Sequence, residues 1–171
     1  SNYTDEVKEG KEKYYYKNGQ LKKESNYKSG EKEGNLSTYF QNGNLKRSDE
    51  YKNGNFISGK CFTSQGKDTS YYEYYVSAVF PGGRAAFNEF LANEIKYPKD
   101  SQKKRIEGRV VVYFEIKADG SSKVIRLIKT VSEELDAEAI RVIESMPKWT
   151  PASSDGVPIN SYYDLPFNFK L

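Results

Sequence analysis

The chain of 171 residues contains no histidine and only one cysteine. Without histidine it lacks the commonest general base, the commonest metal ligand and the usual partner of a serine or cysteine nucleophile. The single cysteine, Cys61, cannot form an intramolecular disulfide or build a thiolate metal cluster. We therefore predict that the protein is not an enzyme and that it holds no metal and no cofactor.

Long apolar runs are also missing. No segment approaches the roughly 20 apolar residues that span a bilayer, and no signal peptide opens the chain. The opening residues, SNYTDE, are typical of a mature or trimmed start. The net charge is +3, with both signs interleaved, so the sequence offers no concentrated basic face for nucleic acid.

Tyrosine is abundant, with 15 residues, and the two halves of the chain use it differently. Residues 1–75 carry a repeat in which equivalent residues differ by 24 in number, which indicates stacked supersecondary units. The aligned pairs are Gly10 and Gly34, Tyr15 and Tyr39, Leu21 and Leu45, Tyr27 and Tyr51, and Gly30 and Gly54. A degraded third copy follows at Gly59, Phe62 and Gly66.

Asn-Gly pairs at 18–19, 42–43 and 53–54 predict hairpins with type I′ turns, and Ser29-Gly30 serves similarly. Because a lone hairpin is marginal in water, we expect a single-layer antiparallel array with Tyr, Phe and Leu lining one face. The motif Tyr-(Tyr/Phe)-x-Asn-Gly-x-Leu-Lys resembles MORN-type repeats of the YwqK-like antitoxin variant. That resemblance implies an interaction platform or a spacer, and both remain open.

Residues 76–171 abandon the repeat. Phe87, Phe90, Leu91 and Ile95 have helical spacing, and Pro98 ends that helix near Tyr97. A strand follows, with Val110, Val112, Phe114 and Ile116 on its buried face. Asp119-Gly120 then turns the chain into a second strand over about residues 123–129, whose faces the alternation does not assign.

A second helix is predicted from the N-cap Ser132 to Pro147. Its apolar stripe consists of Leu135, Ala139, Val142, Ile143 and Met146. The last segment alternates again, with one face made of Tyr163, Leu165, Phe167, Phe169 and Leu171. This order predicts an α+β domain with a small antiparallel sheet packed by helices on one face.

The only tryptophan, Trp149, stands between Pro147 and Pro151, where the chain leaves a helix and crosses back to the last strand. Two prolines make this segment stiff and non-helical. We interpret Trp149 with Pro147 and Pro151 as a structural anchor, in preference to a ligand-stacking site.

The segment from Phe80 to Leu171 resembles the TonB C-terminal domain, in the form found in envelope proteins of Bacteroidota-type bacteria. The resemblance rests on FPGG, FLANEIKYP, RIEGRVVVYFEI, LDAEAIRVIESMPKWTP, GVPI and LPFNFKL, in the family's order and spacing. It implies a periplasmic or cell-envelope location in a Gram-negative bacterium, with a membrane tether in a removed N-terminal segment. The implied partner is an extended TonB-box peptide of an outer-membrane TonB-dependent transporter, or of another envelope protein, bound by strand addition for energy-coupled transport.

The resemblance also implies which residues bind. The expected edge strand consists of Ser161, Tyr162, Tyr163, Asp164, Leu165, Pro166, Phe167, Asn168, Phe169 and Lys170, and proline within a strand is itself typical of an edge. A second expected contact region consists of Asn93, Glu94, Ile95, Lys96, Tyr97 and Pro98, where this chain lacks the family's glutamine-rich version.

Several alternatives stay open. A cell-envelope scaffold or lipoprotein, whose two halves are static interaction surfaces, fits the same sequence. Inner-membrane motor proteins are further partners if an N-terminal helix precedes Ser1, and a homodimer formed by strand exchange is compatible with the pattern. PGGR at 81–84 lacks the Lys-Ser/Thr of a phosphate loop, so we assign it no ligand.

Overall fold

A computed structural model describes residues 7–171, so the predicted trimmed start, SNYTDE, lies outside the described residues. The chain divides into two compact units, the first ending at Tyr72 and the second running from Glu73 to Leu171. Among the described residues, no helix combines the length and the apolar character needed to cross a membrane.

The first unit is an antiparallel seven-stranded sheet. Its strands are β1 (Gly10–Tyr15), β2 (Leu21–Lys28), β3 (Glu31–Lys32), β4 (Gly34–Tyr39), β5 (Leu45–Lys52), β6 (Asn55–Phe62) and β7 (Asp68–Thr69). The order across the sheet is β1-β2-β4-β5-β6-β7, with β3 paired to β2. The expectation of antiparallel strands in this half is confirmed.

The turns of this sheet are of two kinds. At Ser29-Gly30 and Asn53-Gly54 both residues have positive φ, as the predicted type I′ turn requires. At 18–19 and 42–43 only the glycine does, so the type I′ prediction was wrong there. In the first of these turns Gly19 N–H donates to the carbonyl of Tyr16, and Tyr16 N–H donates to that of Gln20. These bonds describe a longer loop that ends in a glycine bulge.

Several contacts in this unit recur 24 residues apart. The Glu9 carboxylate accepts a hydrogen bond from the Ser29 N–H at 2.7 Å, and the Glu33 carboxylate accepts one from the Asn53 N–H at 2.8 Å. The Nζ atoms of Lys8 and Lys32 lie 4.9 and 4.6 Å from the ring centres of Tyr27 and Tyr51 respectively. The sequence repeat therefore corresponds to a repeated set of side-chain contacts.

The buried face of this sheet is polar at its centre. Arg47 and Asp49 are fully buried, and the Arg47 guanidinium lies 2.7 Å from the Asp49 carboxylate. Arg47 also stacks on the rings of Tyr71 and Tyr72, at 5.2 and 4.6 Å. The prediction that Tyr, Phe and Leu line this face was wrong at its centre, because the segment at 71–72 folds back and supplies aromatic cover for a buried ion pair.

The second unit combines three helices with two small sheets. The helices are α1 (Gly83–Glu94), α2 (Lys99–Lys103) and α3 (Glu133–Glu144). The strands are β8 (Tyr75–Val76), β9 (Gly108–Ile116), β10 (Ser122–Lys129), β11 (Ala152–Ser154), β12 (Val157–Ile159) and β13 (Ser161–Phe169). The main sheet has the order β10-β9-β13, and the smaller one β12-β11-β8.

The core of this unit lies between α1, α3 and one face of the main sheet. All four predicted core residues of β9 are buried, and so are the four stripe residues on α3 and Met146 just past its end, so these burial predictions are confirmed. The Ser132 hydroxyl caps α3 by accepting from the Leu135 N–H. On the last strand Phe167 and Phe169 are buried as predicted, whereas Leu171 is 60% exposed because it lies past the end of the strand.

Four features of this unit were not predicted. α1 ends at Glu94, a little before the predicted end, and the short helix α2 follows Pro98. β8 pairs with β11, so residues 75–76 belong to the second unit's small sheet. The Asp155-Gly156 turn that joins β11 to β12 has positive φ at both residues.

Candidate peptide-binding edge

β13 lies at an edge of the main sheet, and β9 is its only strand partner among the described residues. Its pairing with β9 runs without a register shift from Ser161, opposite Ile116, to Phe169, opposite Gly108. Edge strands offer main-chain N–H and C=O groups to another chain. The strand therefore presents an uninterrupted nine-residue edge.

Pro166 fixes which main-chain groups point outward. Proline has no N–H, so in an unbroken antiparallel ladder its nitrogen faces away from the paired strand. Residues two apart along a strand share this direction, so Tyr162, Asp164 and Asn168 also direct their N–H groups away from β9. An added strand would find three donors there, and one rung without a donor at Pro166.

The side chains of Tyr162, Asp164, Pro166 and Asn168 are exposed and lie on the sheet face opposite the helices. Tyr162 is 53% exposed, and its ring stacks on Tyr113 of β9 at 5.9 Å. A hydrogen bond to the Glu115 carboxylate raises the pKa of the Tyr162 hydroxyl, so this hydroxyl stays a neutral donor well above neutral pH.

The structure brings one residue of the second expected contact region to β13. The Tyr97 ring packs edge-on against Phe169 at 5.6 Å, and its hydroxyl donates to the carbonyl of Ile106 at 2.7 Å. Asn93 and Glu94 close α1, and Ile95 packs against the core. The other residues of 93–98 remain a predicted contact.

Sequence reasoning missed the pair that holds this segment. Arg141 on α3 donates to the Glu138 carboxylate at 2.8 and 2.9 Å and to the Glu94 carbonyl at 2.6 Å. The Lys96 N–H donates to the same Glu138 carboxylate at 2.7 Å. Opposite charges three residues apart on a helix were the available signal, but nothing local indicated that they would bind the end of α1.

Burial by itself raises the pKa of Glu138, but the hydrogen bonds from Arg141 and from the Lys96 amide outweigh it, and the pKa lies below its ordinary value of 4.5. Because the pKa of Glu138 is lower in the folded state, its charged carboxylate stabilises the fold at pH values above the unfolded-state pKa. This contribution is lost as the pH falls through the folded-state pKa.

We therefore expect Glu138→Gln to lower the free energy of unfolding of the second unit by about 1 kcal/mol at pH 7, with little difference from the unchanged protein below about pH 3. Urea unfolding followed by Trp149 emission measures this, because the only tryptophan reports on the second unit alone. Glu89→Gln, an exposed change on α1, is the control. A difference that persists unchanged at low pH would contradict the assignment.

Trp149 lies in an aromatic cluster behind the edge strand. Its ring contacts Phe80 at 5.2 Å and Phe87 at 5.4 Å, both edge-on, and stacks on Tyr163 of β13 at 6.3 Å. Its main-chain N–H donates to the Gly120 carbonyl at 2.9 Å. A side chain on Gly120, whose φ is +84°, would collide with the Trp149 carbonyl, so the β9–β10 turn needs glycine there.

Within residues 7–171, the structure gathers no group of three or more acidic or cysteine side chains that could hold a metal ion. The geometry of this unit instead offers main-chain polar groups along β13 and aromatic contacts behind it. This arrangement can bind a chain in extended conformation.

Two solved structures resemble this chain, both solution NMR structures of the TonB C-terminal domain of Helicobacter pylori. The longer fragment is 27% identical, covers 53% of this chain and 86% of its own length, and gives a TM-score of 0.40. The shorter is also 27% identical, covers 50% of this chain and 90% of its own length, and gives 0.38. No curated protein matches the chain.

The family model for the C-terminal domain of Gram-negative bacterial TonB proteins matches residues 93–171. The match covers the candidate edge strand β13 and its partner β9, together with β10 and α3. This family is a non-catalytic protein-interaction domain of the Gram-negative periplasm. Residues 93–171 of the chain are therefore similar to the C-terminal domain of TonB proteins.

Proposed function

We propose that the second unit binds an extended TonB-box-like peptide of an outer-membrane transporter by adding it as a strand along β13, as part of energy-coupled transport. The observation that carries this proposal is the edge position of β13, whose nine-residue register pairs it with β9 and with no other strand in residues 7–171. Main-chain hydrogen bonds supply the affinity in this mode, and the peptide's side chains supply the specificity.

Proline substitutions test this proposal at the outward-facing donors. Asp164→Pro removes one N–H from the free edge and leaves the ladder to β9 intact, because that N–H points away from β9. We expect it to weaken binding of a synthetic TonB-box peptide about fivefold, the value of one hydrogen bond. The matched control, Asp164→Ala, keeps the donor and should bind like the unchanged protein. Isothermal titration calorimetry measures both.

The reverse change makes a sharper test. Pro166→Ala adds the missing donor, and we expect it to tighten binding of the same peptide by about fivefold. Absence of binding at millimolar peptide, or equal affinities for Asp164→Pro and Asp164→Ala, would contradict strand addition at β13. A tether to the inner membrane and coupling to motor proteins belong to the same proposal, and the sequence upstream of Ser1 in the full-length gene tests them.

We also propose that the first unit is a MORN-type repeat array that acts as an interaction platform or spacer in the envelope. The contacts that recur 24 residues apart, those of Glu9 and Glu33 with the following turns, support this proposal. If the whole protein is a scaffold that transmits no force, the first unit should capture envelope proteins from a lysate without the second. Such capture tests the alternative.

A further inference from the structure

A cleft of about 300 Å³ opens on the second unit beside Trp149. Its lining is almost wholly apolar and consists of Ala78, Val79, Phe80, Gly83, Arg84, Phe87 and Trp149. Most of these residues precede residue 93, so they lie outside the segment that matches the TonB family model. The volume is at the lower end of the range for ligand pockets and suits one or two apolar side chains.

One charged group stands at this cleft. Arg84 is exposed and has no hydrogen bond or ion pair with any other residue in the described part of the chain. The residues three and four positions on, Phe87 and Asn88, carry no acidic group that could pair with it along the helix. A free guanidinium beside an apolar cavity is complementary to a partner that combines an apolar group with a carboxylate.

A further observation supports an occupant of this kind. The first turn of α1, which carries Arg84, contains no acidic residue, so the positive end of the helix is not neutralised locally.

The small sheet leads to this cleft. β8 is an edge strand of the sheet β12-β11-β8, and its continuation reaches Val79, which pairs with Thr150 on one side. Tyr75, Val76 and Val79 are 51%, 40% and 46% exposed. The segment at 75–79 therefore presents an apolar surface along which an extended chain can lie before its end enters the cleft.

We propose that this cleft binds the C-terminal end of a partner polypeptide, with the last apolar side chain against Phe87 and Trp149 and the terminal carboxylate paired with Arg84. This site is independent of strand addition at β13 and does not rest on the proposed function. Its specificity comes from the charge at the chain end, which an internal peptide segment lacks.

Trp149 supplies the readout. We expect its emission to change as the unchanged protein is titrated with acetyl-Gly-Ser-Gly-Phe as the free acid, with a dissociation constant of about 1 mM or lower. The same peptide as its C-terminal amide should bind at least about tenfold more weakly, because it loses the charge-assisted pair with Arg84. Arg84→Gln should abolish this difference between acid and amide.

The control variant is Arg109→Gln, an exposed arginine of β9 in the same unit, which should keep the full preference for the acid. Hydrocinnamate, an aryl carboxylate without a peptide chain, tests the assignment to a chain end. No emission change at 10 mM peptide (about ten times the expected dissociation constant), equal affinities for acid and amide, or binding of hydrocinnamate as tight as that of the peptide would each overturn the proposal.

Discussion

Removing the carboxylate of Asp49 should destabilise the first unit by about 3–5 kcal/mol, the cost of leaving a buried partner charge uncompensated. In Asp49→Ala the guanidinium of Arg47 stays buried but loses an oxygen at 2.7 Å. Arg47 cannot escape by losing its proton, because its pKa is far above neutrality. Hydrogen exchange of the amides of β4, β5 and β6 measures the effect within this unit.

A double variant separates the charge from the volume. Replacing both partners, Arg47→Met with Asp49→Leu, removes the buried charges together, and we expect most of the lost stability to return. Ser48→Ala, on the opposite face of β5, is the neutral control. Hydrogen exchange gives the free energy of opening of each amide. If Asp49→Ala lowers this free energy in the first unit by less than about 1 kcal/mol, the ion pair does not hold the segment at 71–72 against the sheet.

The second large effect is expected at Trp149. Trp149→Ala should lower the free energy of unfolding of the second unit by about 3 kcal/mol, at the lower end of the range for such a truncation because the ring is only partly buried. The ring touches Phe80 and Phe87 on the helix side and Tyr163 on β13, so its loss opens the contact between these elements.

Hydrogen exchange in β9 and α3 reports this change, since the variant has no tryptophan emission. Trp149→Phe keeps an aromatic ring in the cluster and should cost less than half as much. The amides of the first unit serve as an internal control in the same experiment. An unchanged exchange rate in β9 would refute the interpretation of Trp149 as an anchor.

Prediction from the sequence worked best where one local period decided the outcome. The alternation of β9 and the stripe of α3 identified nine buried residues, because burial on one face selects apolar residues at a period of 2 in a strand and 3.6 in a helix. The 24-residue repeat likewise anticipated where equivalent turns and strands fall. These patterns are local, and a single chain segment displays them.

Turn geometry was predicted less well. Asn-Gly was interpreted alike at all three positions, yet only 53–54 adopts positive φ at both residues. At 18–19 and 42–43 the Asn side chain accepts from the N–H two residues on, at 3.2 and 3.0 Å, which stabilises a longer loop instead. The dipeptide alone does not specify which of the two loops forms, because the flanking strand register selects between them.

The sequence by itself determined the repeat, the α+β order of the second half and the composition of its core, because each is recorded in the spacing of apolar residues. Only the tertiary structure decided that Arg47 and Asp49 are buried together, that Arg141 and Glu138 bind the end of α1, and that β13 pairs only with β9 among the described strands. These outcomes depend on which distant segments meet, as Tyr71 and Tyr72 meet Arg47, and on where a sheet stops. The sequence does not indicate which residue a charged side chain will pair with, since desolvation and pairing are properties of the assembled fold.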